Sequence, residues 1–98
     1  METIKTTKTE QMANKIKEDY SQLTSLSVNY DEEAIYLHGV RYRGEKGQPT
    51  MAQVRYLQSF KNVTTQSTSN LLKANKWFIS ACIDIAKNNP DFEFVVRM

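Results

Sequence analysis

Two side chains could form a nucleophile and base pair here. His38 is the single histidine and Cys82 the single cysteine, so Cys-His catalysis would have to use both. The surroundings of Cys82 argue against it. It falls among Phe78, Ile79 and Ile85 in an amphipathic run, where a thiol is a small buried hydrophobe with a raised pKa rather than an activated thiolate. Gly39-Val40-Arg41-Tyr42-Arg43-Gly44 has the glycine spacing of a phosphate-binding loop. That chemistry needs Lys and then Ser or Thr directly afterwards, and Glu45-Lys46-Gly47 instead sets a carboxylate where phosphate would sit. Asp31-Glu32-Glu33 lacks the alternating ligand spacing of a calcium loop and reads as a solvated turn. Asp91 and Glu93 would share one strand face, but with no pocket implied they are no acid and base pair. These patterns predict a non-enzymatic chain with no catalytic residues, no metal ligands and no cofactor.

Binding chemistry is better represented. The chain carries 13 basic and 11 acidic residues, a net charge of +2 that names no partner by itself. Its distribution says more. Between Gly39 and Lys61 stand Arg41, Arg43, Lys46, Arg55 and Lys61 against Glu45 alone, giving +4, while the rest of the chain has eight basic and ten acidic residues, giving −2. Tyr36, Tyr42 and Tyr56 are interleaved with these cations, a combination that stacks bases and holds phosphates. The expectation is an accessory factor contacting nucleic acid or a nucleoprotein through segment 36–61. Its contacts would be Arg41, Arg43, Lys46, Arg55, Lys61, Tyr42 and Tyr56. On a regular strand Tyr36, His38, Val40 and Tyr42 share one face and Arg41 and Arg43 the other, so a single surface would need a bulge at Gly39. Arg55 and Lys61 extend the patch only if their helix docks beside the arginines. Such charges supply salt-sensitive affinity without reading sequence.

Two other readings stand beside this one. In the bland reading the tyrosines pack in the sheet core or at its rim and the arginines only solubilise. In the alternative function, the chain is a protein adaptor or inhibitor, docking through its N-terminal helix, Trp77, or a C-terminal edge strand with Phe92 and Phe94, and able to form a homodimer. Trp77 lies beside the main apolar face of its helix, where it either anchors an interface or packs under the N-terminal helix.

The elements that must position these groups follow from periodicity. Thr7-Lys8-Thr9-Glu10 has capping-box spacing, and Met12, Ile16, Tyr20 and Leu23 then mark the narrow apolar stripe of a covering helix over 8–24. Leu26, Val28 and Tyr30 alternate with polar residues as a half-buried strand does. After the acidic turn, Ala34 to Arg43 predicts a second strand in a hairpin or meander. Gly39 interrupts it as a bulge or a tight turn, the bulge being preferred. Thr50-Met51-Ala52-Gln53 is another capping box and opens a helix to about Phe60 with Asn62 as terminator, followed by a Thr/Ser-rich connector. A long helix between Ser69 and Lys87 has apolar residues around more than half its circumference and should be the most buried element. Asn88-Asn89-Pro90 ends it, and Phe92 to Val96 reads as a last strand at a sheet edge.

The fold class expected is therefore α+β, with a small three-stranded, mainly antiparallel sheet, helices packed on one face, and the order α-β-β-α-α-β. Residues 1–98 should form a single compact domain, with 1–6 a flexible N-terminus. The polar, acid-containing start does not resemble a secretory signal, and no apolar stretch is long enough for a membrane span. With one cysteine and no disulfide to make, a cytoplasmic protein without a membrane partner is expected. The glycosylation triplet at Asn62-Val63-Thr64 then has no meaning.

Overall fold

The computed structural model describes residues 8–44 and 46–98. Its elements are α1 (Lys8–Asp19), β1 (Leu26–Tyr30), β2 (Ile35–Gly39), α2 (Met51–Gln58), β3 (Val63–Thr65), α3 (Thr68–Leu71), α4 (Lys76–Asn88) and β4 (Phe94–Arg97). The expected flexible start over 1–6, and Thr7 of the first capping box, lie outside the described residues. No helix among the described residues is long and apolar enough to cross a membrane.

The α+β class and the one-sided helix layer agree with expectation. The sheet itself differs: it has four strands in the order β1-β2-β4-β3. β1 and β2 form the expected antiparallel hairpin, but β4 runs parallel to both β2 and β3, so the sheet is mixed. β4 therefore lies inside the sheet, flanked by strands on both sides, and is not an edge. The additional strand, β3, occupies Val63–Thr65 at the start of the stretch expected to be a connector. Three residues are too short for a visible alternation, and what makes them a strand is pairing to β4, with Val63 opposite Phe94 and Thr65 opposite Val96.

Register explains which face is covered. Val28, Leu37, Val96 and Thr65 form one row across the sheet, and Tyr30, Ile35, Phe94 and Val63 the next row on the same side. Ile35, Leu37, Phe94 and Val96 are wholly buried there and join Ala13 and Ile16 of α1, Val54 and Leu57 of α2, Leu71 of α3, and Phe78, Ile79, Cys82 and Ile85 of α4 in one core. The opposite rows, Ser27, His38 and Arg97, then Asn29, Tyr36, Val95 and Thr64, are half-buried or exposed.

Three further local expectations change. β2 stops at Gly39, which pairs in register with Leu26. It is thus neither a bulge nor a hairpin turn. A Cβ at Gly39 would lie 2.7 Å from Cε2 of Phe78, so the missing side chain lets the strand end cross directly over a core ring. α1 ends at Asp19, short of residue 24, and Leu23 and Leu26 N–H donate to Tyr20 and Leu23 C=O in successive turns leading into β1. The long helix expected from Ser69 is two helices, because Asn75 starts a new one: its Oδ1 accepts the Phe78 N–H at 2.7 Å.

The other locks lie where the sequence grammar put them. Thr50 and Gln53 complete the capping box of α2, with Thr50 Oγ1 accepting the Gln53 N–H at 3.0 Å. α2 itself ends earlier than expected, at Gln58 with Ser59 as its C-cap, so Asn62 is not its terminator and instead joins other elements. Its buried Nδ2 lies 3.3, 3.2 and 3.1 Å from the carbonyl oxygens of Ala86, Asn89 and Phe92, and its own C=O accepts the Phe94 N–H at 2.8 Å. The end of α4 is thereby tied to the entry of β4.

Candidate nucleic-acid interface

Among the described residues between Gly39 and Met51 there is no regular element, and what holds the segment is Tyr42. The Tyr42 N–H donates to the Lys73 C=O at 2.8 Å, in the turn between α3 and α4. Further along the loop, the Gly47 C=O accepts the Lys76 N–H at 2.6 Å, at the first residue of α4. The Tyr42 ring fills the space between these two anchors: a Cβ at Gly47 would come 2.5 Å from it, so the loop can fold round the ring only where a side chain is missing. Gln48 Nε2 donates to the Gly44 C=O and closes the loop from within.

Trp77 stands next to Tyr42 in the first turn of α4. Their ring centroids are 6.2 Å apart at an interplanar angle of 75°, an edge-to-face contact. Lys76 Nζ lies 5.1 Å from the centroid of the Trp77 ring, within cation–π range. Half of Trp77 remains exposed, 50% against 0% for the adjacent Phe78. It packs against the loop rather than under α1, whose Met12, Ile16 and Tyr20 face Ile85 and Asn89 at the far end of α4 across a shallow cleft.

Five basic residues lie on the segments that carry this aromatic pair. Arg41 and Arg43 flank Tyr42, Lys46 precedes Gly47, and Lys73 and Lys76 belong to the turn and helix start that the loop binds; all five side chains are exposed. The loop's single acidic residue, Glu45, lies outside the described residues. Sequence reasoning missed Lys73 and Lys76, which stand about thirty residues from the arginines in the chain; only the Tyr42–Lys73 and Lys76–Gly47 bonds bring them alongside. β2 ends before Arg41, Tyr42 and Arg43, so the alternation of a regular strand does not assign their faces.

The other expected contacts lie elsewhere. Arg55 and Tyr56 are exposed on α2 and Lys61 is exposed after it, with Tyr56 packed on Phe60 at a centroid distance of 5.0 Å. Among the described residues, none of the bonds and ring contacts that gather the loop involves these three. Phe92 is half-buried and Phe94 wholly buried in the central strand, which withdraws Phe94 from any protein-facing surface.

The groups with catalytic types do not meet. His38 points to the uncovered face of the sheet, while Cys82 is buried in the helix layer on the other side, where desolvation pushes its thiol pKa far up. Asp31 is spent on its own turn: Oδ1 accepts the Glu33 and Ala34 N–H groups at 2.8 and 2.9 Å, and Oδ2 accepts the Tyr36 hydroxyl. The Tyr36 bond, followed by the two backbone bonds, holds the Asp31 carboxyl below its ordinary pKa. The Tyr36 ring is faced by the Arg97 guanidinium, 4.9 Å from its centroid. No protein-family model, curated protein or solved structure matches this chain.

Proposed function

We propose that this chain is a cytoplasmic, non-enzymatic binding protein that contacts nucleic acid, alone or in a nucleoprotein, through the loop over 40–49 and the start of α4. The observation carrying this reading is the half-exposed Trp77 against Tyr42, with Lys76 over the indole and the exposed Arg41, Arg43, Lys46 and Lys73 on the loop and turn that the backbone bonds join. Exposed cations on anchored backbone neutralise phosphates and release counterions, and exposed aromatic rings contact bases or sugars. Arg55, Lys61 and Tyr56 are peripheral to this face. The protein-docking reading has lost its C-terminal edge and Phe94, and keeps α1, the half-buried Phe92 and Trp77.

Anisotropy titrations of labelled single- and double-stranded DNA and RNA at two salt concentrations test the proposal. Binding should weaken with salt, and Arg41→Ala combined with Arg43→Ala should lower affinity and flatten the logarithmic salt slope by about 1.4 to 1.8 for two lost phosphate contacts. Both side chains are exposed, so the melting temperature should hardly move. Binding that is the same with and without the two arginines would overturn the assignment.

A further inference from the structure

We propose that Trp77 is a stacking platform for an unpaired base, which makes single-stranded nucleic acid the ligand of the basic face. This rests on the nucleic-acid reading above and narrows it.

The indole is both exposed and held. A core that buries Phe78 completely leaves half of Trp77 in solvent, although the two residues are adjacent on α4. Its backbone is fixed on each side, by the Asn75 cap on the Phe78 N–H and by the Lys76 N–H on the Gly47 carbonyl. Its ring is fixed by Tyr42, itself locked to Lys73 and enclosed by its own loop. An aromatic side chain ordered before the ligand arrives loses little entropy on binding, which favours its use as an anchor.

The cation already over the ring points to the same ligand. Lys76 places an ammonium against the indole, and its flexible stem lets a base displace that ammonium toward the phosphate of the same nucleotide. The exposed Arg41, Arg43, Lys46 and Lys73 on the adjoining loop and turn offer further phosphate partners, and Val40, 51% exposed, offers an apolar contact at the start of the loop. In a duplex the bases are stacked on one another and offer only their edges, so an indole could reach a base face only by unstacking it. A single strand presents base faces without that cost.

Trp77 is the single tryptophan, so intrinsic emission reports this residue alone. The full chain is titrated with a short oligothymidylate and with a duplex of the same length, following tryptophan emission and, in parallel, the anisotropy of labelled copies. The single strand should quench Trp77 over the concentration range in which anisotropy rises, and the duplex should bind more weakly without quenching. Trp77→Ala should weaken single-strand binding roughly ten-fold or more and duplex binding much less, while Trp77→Phe should recover most of the single-strand loss. Circular dichroism checks that both variants fold, and the wild-type quenching decides the matter by itself if Trp77→Ala does not. Binding without quenching, or an equal loss for both ligands, overturns the stacking role and leaves the basic face standing. Absence of binding to either ligand at low salt overturns both.

Discussion

A methyl group added at Gly39 would sit within 3 Å of three atoms of the Phe78 ring, at 2.7, 2.9 and 2.9 Å. Phe78 is wholly buried and packed from several elements, so the ring has nowhere to retreat without disturbing the core. Gly39→Ala should therefore destabilise the protein by about 1–3 kcal/mol, the range of core overpacking, although alanine is otherwise the better strand residue. Urea unfolding measures this, and an unchanged midpoint would mean that the strand end slides off Phe78 more easily than the packing implies. Asn62 is the polar counterpart at this scale. One side-chain amide reaches three carbonyl groups from the end of α4 to the turn before β4, a joint that apolar packing alone would leave with unpaired oxygens.

Asn75 decides how the helical segment over 68–88 is divided. It is itself nearly buried, and its Oδ1 satisfies the Phe78 N–H, one of the orphan donors at the start of α4. The break that it creates exposes the Lys73 carbonyl and the Lys76 amide to the loop, so the cap shapes the candidate interface as well as the helix. Asn75→Ala should cost about 1–2 kcal/mol by thermal or urea unfolding, whereas Asn75→Asp, which keeps the accepting oxygen, should cost clearly less. Equal losses for the two would show that the cap contributes little. α2 has the simpler grammar of a reciprocal Thr50/Gln53 box, and it packs on α4, α3 and β3, so its buried Val54 and Leu57 close the core from that side.

At the scale of the whole molecule, the sheet depends on β4. β4 is hydrogen-bonded to both β2 and β3, and β1 reaches it only through β2. Phe94 and Val96 are fully buried, and their burial contributes roughly 3–6 kcal/mol against a domain stability of about 5–15 kcal/mol. Removing residues 92–98 also leaves β3 without its partner and strips one edge of β2. A chain ending at Asp91 should accordingly fail to fold, seen as collapsed amide dispersion in NMR spectra and loss of a cooperative thermal transition. A cooperative transition in that chain would show that the core holds without its central strand.

Local signals determined a good part of this protein. The helix starts at Thr50, the acidic turn at Asp31, the hairpin of β1 with β2, the buried stripe of α4 and the inert setting of Cys82 all follow from period, cap and turn chemistry within a few residues. What failed were statements about partners distant in the chain. β3 exists because β4 pairs with it, Gly39 is required because Phe78 lies across its path, and β4 is central because two parallel strands close on it; none of the three leaves a periodic trace in its own segment. The site divides in the same way. Arg41, Tyr42, Arg43 and Lys46 were legible as a basic and aromatic run, and Trp77 as an aromatic beside its helix's main face. Only the backbone bonds from Tyr42 to Lys73 and from Lys76 to Gly47 bring their two segments together. Composition and periodicity act along the chain and determine which local structures are favourable, whereas which surfaces meet depends on burying all the apolar stripes at once, a condition that only the folded chain satisfies.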